Sequence, residues 1–286
     1  MFLEQSIRQN ITYINGYSIR YLDYDYIRHR SDNYKFLVLL HGIGASAERW
    51  SLVAPTLSKY FRVIVPDIVG FGYSDKPTVE YTMDFFIDFF HGLLKNLQID
   101  RPIIVGSSFG GYLATEFAIR FKDSVEKLVL AAPAGIMRSS TAVLDQYIMA
   151  ALYPTYENVL RAFMDMTFDP LIVTEDSVRD FINRMKLPNA KYAFMSTLLG
   201  IRDSPKLQDR LLNLVTPTLL LWGDNDNMIP LQYSKEYTRI PHSKLVVIKD
   251  CGHIPFVEKP TMFNQTILTF LDEQHNLDDT AGINVK

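Results

Sequence analysis

Between Phe36 and Ile248 the chain alternates short apolar runs with longer stretches of helical periodicity, and this alternation constrains its fold most. The runs are Phe36–Leu40, Val63–Val65, Ile103–Val105, Leu128–Ala131, Thr218–Trp222 and Leu245–Ile248. A strand with one wet face alternates apolar and polar residues. Runs without that alternation suit strands covered on both faces, as in a parallel sheet. Between the runs, Tyr81–Leu97 places Phe85, Phe86, Phe89, Phe90, Leu93, Leu94 and Leu97 on one helical face. Gly111–Phe121, Gln232–Tyr237 and Thr261–Asp272 are the other main helix candidates. Strand and helix in turn predict an α/β sheet with helices on both faces.

Two departures from the alternation carry information. Near the start, Thr12–Ile14 and Tyr17–Leu22 alternate apolar and polar side chains around Asn15-Gly16. That dipeptide favours a type I′ turn, whose two central residues need positive φ, so an antiparallel hairpin is predicted. From Met137 to Asn213 no convincing strand occurs. Helices are predicted near Ala142–Leu152, Tyr156–Asp165, Thr174–Lys186 and Lys191–Leu199. An unstructured loop of that length is implausible in a compact domain. The segment therefore reads as a helical insertion over the sheet, dividing the chain into a core of residues 1–136 and 214–286 and an inserted unit of residues 137–213.

A chain of 286 residues can bury a sizeable core without disulfides or structural metal. It has one cysteine, Cys251, so it can close no internal disulfide, which fits a reducing compartment. The first ten residues show no basic region followed by an apolar run, and no apolar stretch is long enough to span a membrane. A cytoplasmic location is the resulting expectation. A net charge of -3 gives no basic field for nucleic acid. The polar tail from Leu277 to Lys286 is expected to lack order. Oligomeric state is not legible.

The segment carrying the most chemistry is Gly106-Ser107-Ser108-Phe109-Gly110-Gly111, which contains G-x-S-x-G between the strand Ile103–Val105 and a following helix. This strand–turn–helix setting suits a sharp turn that projects the Ser108 hydroxyl, with glycines where side chains would collide. The adjoining helix N-terminus favours developing negative charge. Ser107 is expected to be structural. As a bare pattern, the segment is equally a turn that packs or binds phosphate.

With three further segments the sequence resembles the α/β-hydrolase family, in particular its esterase, lipase and carbon–carbon hydrolase members with a helical cap. The resemblance spans roughly Tyr13 to Leu271 and is weakest in the inserted unit. It implies a mostly parallel eight-stranded sheet flanked by helices, with a helical cap insertion. His41-Gly42-Ile43-Gly44 resembles the family's oxyanion-hole turn. By that resemblance the backbone N–H groups of Ile43 and Phe109 would hold the oxyanion, and His41 would be structural. Asp67-Ile68-Val69-Gly70-Phe71-Gly72-Tyr73-Ser74 is similar to a family loop in which Asp67 ties down the chain. Gly223-Asp224-Asn225-Asp226 resembles the turn carrying the triad acid; the family's usual spacing selects Asp226 over Asp224. Cys251-Gly252-His253-Ile254-Pro255 resembles the loop of the catalytic histidine. The chain order Ser108, Asp226, His253 is the one this fold requires.

The resemblance implies a serine hydrolase: Ser108 as nucleophile, His253 as base, Asp226 as the residue that orients it, and an acyl-enzyme intermediate. A serine at the elbow argues against dehalogenases and epoxide hydrolases of the family, which use aspartate there; haloperoxidase-like members stay open. No cofactor is needed. His29, His91, His242 and His275 form no ligand pattern, so no metal site is expected. The inserted unit is rich in large apolar residues, and Met137, Tyr147, Phe163, Met166 and Phe194 are its candidate substrate contacts. The expected substrate is a small-molecule ester with a small to medium acyl chain. Alternatives are a carbon–carbon hydrolase acting on a ring-cleavage diketone, a thioesterase, a lactonase or a peptidase acting on an N-terminal proline. The diketone chemistry needs a cation for the substrate carboxylate, for which Arg138, Arg161, Arg184, Lys191 and Arg202 are available. A non-catalytic ligand receptor on the same fold is the alternative from a different class.

Overall fold

The computed structural model describes residues 6–25 and 34–272; the polar tail, His29 and His275 lie outside them. The N-terminal strands β1 (Ser6–Ile14) and β2 (Tyr17–Asp25) pair antiparallel, with Ile14 opposite Tyr17. Asn15 and Gly16 between them have φ of 53° and 85°, both positive as a type I′ turn requires. Six further strands follow: β3 (Phe36–Leu40), β4 (Arg62–Pro66), β5 (Ile103–Ser107), β6 (Lys127–Ala131), β7 (Thr218–Gly223) and β8 (Ser243–Ile248). Together they form one eight-stranded sheet in the order β1-β2-β4-β3-β5-β6-β7-β8. Every pairing from β4 to β8 is parallel. Strands β5, β6 and β7 are buried along their whole length, which is why their sequences do not alternate.

The helices are α1 (Ala54–Leu57), α2 (Met83–Asn96), α3 (Phe109–Arg120), α4 (Ala142–Leu152), α5 (Tyr156–Asp165), α6 (Glu175–Met185), α7 (Ala190–Asp203), α8 (Ser234–Tyr237), α9 (Pro255–Glu258) and α10 (Pro260–Asp272). Helix α2 buries Phe86, Phe89, Phe90, Leu93 and Leu94, and Thr82 caps its start by accepting the Phe85 N–H. Threonine caps of the same kind start α4, α5 and α6, at Thr141, Thr155 and Thr174. The helical insertion between β6 and β7 thus carries explicit start signals at three of its four helices. The expected helix over Gln232–Tyr237 is instead a 3₁₀ turn, Leu231–Tyr233, running into the single turn α8. Among the described residues, no helix is long and apolar enough to cross a membrane.

The strand order places the site. From β3 the chain steps outward to β4, then returns past β3 to β5. The connections leaving β3 and β5 diverge, opening a crevice at their carboxyl ends. Gly42 follows β3 there and Ser108 follows β5.

A buried ionic knot fixes the loops around this crevice. Asp67, after β4, accepts the N–H of Ala47 at 2.7 Å, the N–H of Tyr73 at 2.8 Å and a guanidinium N–H of Arg20 at 2.9 Å. Arg20, on β2, also pairs with Glu48. No side chain fits at position 72, where a Cβ would lie 2.2 Å from the Asp67 carboxyl carbon. Replacing Asp67 by Ala leaves Arg20 short of a buried partner and two N–H groups unpaired. Such a loss costs about 3–5 kcal/mol. Asp67→Ala is expected to lower the urea unfolding midpoint accordingly, with the slope unchanged; a shift within about 0.5 kcal/mol, typical of surface substitutions, would show that the knot does not hold the loops.

Candidate active site

Ser108 joins β5 to α3 in a conformation that side chains rarely adopt, φ 52° and ψ −117°. Such strain persists only where the surroundings over-determine it. Here the Ser108 N–H donates to Ala131 O at 3.0 Å, while its carbonyl accepts from Tyr112 N at 3.0 Å and Ala134 N at 2.9 Å. A Cβ at position 106 would lie 2.5 Å from Gly110 O, and one at position 110 would lie 2.2 Å from Leu40 O. The glycines let the helix start press against β3 and β5, which drives the Ser108 side chain outward. Ser107 is buried beside it, and Ser108 is partly exposed.

His253, after β8, lines the same cavity as Ser108, and Asp226, after β7, stands behind it. His253 Nδ1 lies 2.8 Å from Asp226 Oδ2. The other carboxylate oxygen accepts the N–H groups of Met228 at 2.9 Å and Ile229 at 2.8 Å, which fixes the carboxylate plane. Both side chains are almost wholly buried. Asp224, the runner-up for this position, instead accepts from Asn225 Nδ2 at 2.6 Å and Cys251 N at 3.3 Å. The histidine loop is pinned twice: the His253 N–H donates to Met166 O at 2.9 Å, and Glu258 accepts from the N–H groups of Gly252, Ile254 and Phe168. Buried Cys251 has its thiol pKa pushed well up by burial, so it supplies no thiolate.

The third wall is the loop after β3. Among the described residues, the N–H groups of Ile43 and Phe109 donate to no acceptor, and both residues are buried. Tyr147 OH donates to Ile43 O at 2.8 Å, and Arg184 donates to Gly44 O at 2.5 Å. The insertion therefore grips this loop from above. His41 holds it from below: its Nε2 accepts the Ile68 N–H at 3.0 Å and its Nδ1 lies 2.8 Å from Gly42 O. These contacts require the neutral tautomer with the proton on Nδ1.

Ser108, His253, Ile43, Tyr147 and Met166 line one small cavity of about 40 Å³ with Gly42, Ala45, Arg49, Ser107, Met228, Ile254 and Phe256. A pool of about 310 Å³ lies beside it, sharing Ala45, Arg49 and Tyr147. A strained serine, a carboxylate-bound histidine and two free N–H groups at strand carboxyl ends suit attack on a carbonyl. A sequence model described as the alpha/beta hydrolase family matches residues 37–266.

The chain belongs to the alpha/beta hydrolase family.

Among curated proteins, this hydrolase is 31% identical over 245 residues to the 2-hydroxy-6-oxo-2,4-heptadienoate hydrolase of Pseudomonas putida, covering 82% of this chain and 88% of that one. It is 31% identical over 247 residues to the 2-hydroxymuconate semialdehyde hydrolase of a Pseudomonas species, covering 83% and 87%. Among solved structures, a meta-cleavage product hydrolase from Pseudomonas fluorescens superposes with a TM-score of 0.80 at 28% identity, covering 93% of this chain and 98% of that one.

The structure sorts the expected substrate contacts of the hydrolase. Tyr147 and Met166 line the cavity beside Ser108. Phe163 stands one layer out, on the adjoining pool. Phe194 and Met137 line neither. Phe194 packs on the left-handed Gly44, where a Cβ would lie 3.0 Å from its ring, and 6.0 Å from the Tyr147 ring; Met137 packs half-buried on the core. Helical periodicity reports that a residue is inward-facing but not which inner surface it meets. Of the insertion's cations, Arg184 is buried but committed to Gly44 and Asp180, while Arg138 bonds Gln208, Arg202 bonds Asp203 and Arg161 pairs with Asp165 near the surface. The cavity's cation is Arg49, from the core loop before Trp50. Between Glu48 and Trp50 in the sequence, it reads as a solvated residue and carries no signal of this placement.

Burial lowers the His41 pKa below its ordinary 6.5, against the opposing pull of Asp67. The unfolded chain therefore takes up this proton first on acidification. Stability from this group is fully present above about pH 6.5 and declines as pH falls below it. Urea midpoints measured downward from neutral pH are expected to fall, and less steeply in His41→Asn. Equal slopes in both proteins would remove His41 as the source.

Proposed function

We propose that this chain is a serine hydrolase that cleaves a small-molecule acyl substrate through an acyl-enzyme on Ser108. The observation that carries the reading is the buried His253–Asp226 bond of 2.8 Å, opening onto the cavity that holds the strained Ser108. Ser108 Oγ attacks the carbonyl carbon and its proton passes to His253 Nε2. Asp226 keeps the imidazole in the right tautomer and stabilises the cation that forms. The oxyanion takes the N–H groups of Ile43 and Phe109. Collapse expels the leaving group, which accepts the proton from His253. Water then repeats the sequence, releasing the acid and restoring the serine. Residues 137–213 serve as a cap that excludes bulk water from this step.

A carboxylic ester with a short acyl part fits the cavity of about 40 Å³, which has room for about three water-sized groups. The larger part of the substrate would extend into the pool of about 310 Å³. A second reading is carbon–carbon cleavage of a ring-cleavage diketone by the same serine, with a carbon leaving group protonated in place of the alcohol. Two observations favour it: the names of the relatives at 31% identity, and a cation, Arg49, in the cavity.

A fluorophosphonate probe is expected to label wild type at Ser108 and to leave Ser108→Ala unlabelled. Short p-nitrophenyl esters should turn over, with kcat lowered on the order of 10⁴-fold in Asp226→Asn, as expected for an imidazole left in the wrong tautomer. Labelling without ester turnover would move the assignment to diketones. No labelling of folded protein would leave a ligand receptor as the better reading.

A further inference from the structure

Arg49 is the one side chain of the cavity whose charge the mechanism above does not use. It comes from the core loop after β3 and borders both the Ser108 cavity and the adjoining pool. Its guanidinium lies 4.8 Å over the Phe163 ring and 4.0 Å from Met166 Sδ, two weak, neutral partners. Among the described residues, no carboxylate comes within ion-pair distance of it. The acidic groups nearby are already engaged. Glu48, its chain neighbour, pairs with Arg20. Asp180 accepts from Arg184 Nε at 2.9 Å and from Tyr73 OH at 2.9 Å, which uses both of its oxygens. Asp176, on the rim of the pool, is exposed.

The local charges do not pair evenly. Arg49 and Arg184 face the pool with Glu48, Asp176 and half-buried Asp180, but Glu48 is held by Arg20, Asp180 by Arg184 and Tyr73, and Asp176 is exposed, so Arg49 has no carboxylate partner among the described residues. Arg49 is partly buried, and a cation drawn out of water ordinarily finds a carboxylate, because desolvation is costly and a paired geometry offsets it. Burial does pull the pKa of Arg49 down, with Arg184 adding to the effect. An arginine stays protonated through such shifts, so this unpaired guanidinium is open to an anion. A planar guanidinium with free N–H groups matches a carboxylate in a two-point contact.

We infer that Arg49 is a specificity residue that binds a carboxylate carried by the substrate close to the reacting carbonyl, so that the preferred substrates are anionic acyl compounds. This rests on Ser108 being the nucleophile. The alternative role for Arg49 is mechanical: through Phe163 and Met166 it would only clamp the insertion to the core. The two roles differ in one readout. A clamp supports all substrates alike, whereas a carboxylate site supports only charged ones.

The experiment compares each anionic ester with its neutral partner: monomethyl against dimethyl succinate, glutarate and adipate, which carry charge on the acyl side. Acetoxyacetate against methyl acetoxyacetate carries it on the alcohol side. Wild type, Arg49→Met and Arg49→Lys are assayed by acid release, each labelled in parallel with fluorophosphonate. Wild type is expected to favour the anionic partner in at least one series by roughly ten- to a hundred-fold in kcat/KM, the usual worth of a hydrogen-bonded charge. Arg49→Met should lose that preference through the anionic ester alone, with the neutral ester changed less than about three-fold, and Arg49→Lys should keep part of it. Labelled wild type that prefers neutral esters in every series overturns the inference, whether or not the variants fold. Equal losses on both partners in Arg49→Met assign Arg49 to the clamp and overturn it too. Absent labelling of wild type fails the serine-hydrolase reading itself, and is told apart from the other outcomes by that label.

Discussion

Everything at the carboxyl end of this sheet depends on how closely helix α3 can approach the strands beneath it. With Gly110 almost touching the carbonyl of Leu40 and Gly106 almost touching that of Gly110, there is no room for a single methyl group on either side of the turn. The cost of this approach is the positive φ of Ser108, of order 1–3 kcal/mol for such a conformation. The three hydrogen bonds from Ser108 to the segment around Ala131 and to Tyr112 hold it there. A relaxed serine would point along the helix and lose its line to the cavity. The strain is thus tied to the projection of the hydroxyl, and the same close approach leaves the first N–H groups of α3 aimed at the space before it.

Around that fixed point the other loops are positioned by contacts across the fold more than by their own sequences. The insertion supplies Tyr147 and Arg184 to the carbonyls of Ile43 and Gly44, and the carbonyl of Met166 to the N–H of His253. The loop after β3 and the His253 loop are therefore both held by a segment distant from them in the chain. Glu258 adds a third tie, joining the histidine loop to Phe168. A change in how the insertion sits would move the two halves of the machinery together. These contacts join the segment to the loops of the sheet, although the sequence separates it from them by its lack of strand signals.

This explains what could be read from the chain and what could not. The six core strands, the hairpin at Asn15-Gly16 and the four helices of the insertion were visible because each depends on local signals: apolar runs, a turn dipeptide, and a long stretch without strand signals. Ser108 was read from its strand–turn–helix setting, and Asp226 and His253 from the resemblance of their turns and from chain order. The ownership of inward-facing side chains was not visible. Tyr147 is polar at its tip and apolar along its ring, and nothing in Asp145-Gln146-Tyr147 says that the tip would reach a carbonyl in another part of the fold. Phe194 has the same helical periodicity as a pocket residue, but it faces the back of Gly44. Arg49 was hidden for the opposite reason. A charged residue between Glu48 and Trp50 reads as solvated, and only the folded chain shows that Glu48 turns away to Arg20 while Arg49 turns in.

The buried charges of the site differ in how completely the protein itself satisfies them. Asp226 is saturated, with two N–H groups and an imidazole around its two oxygens. Asp67 is saturated by Arg20 and two N–H groups, and half-buried Asp180 is engaged by Arg184 and Tyr73. Saturated groups cannot respond to a ligand, because any new contact must displace an equal one, and their work is positional. Three sets of donors stand apart: the N–H of Ile43, the N–H of Phe109 and the guanidinium of Arg49. The first two match a single developing negative charge on the reacting oxygen. The third is a full charge with no carboxylate partner among the described residues. On the proposed mechanism, two neutral donors for an oxyanion and one full cation beside them suit a substrate with two acceptor centres, one that becomes charged during reaction and one that is charged when it arrives.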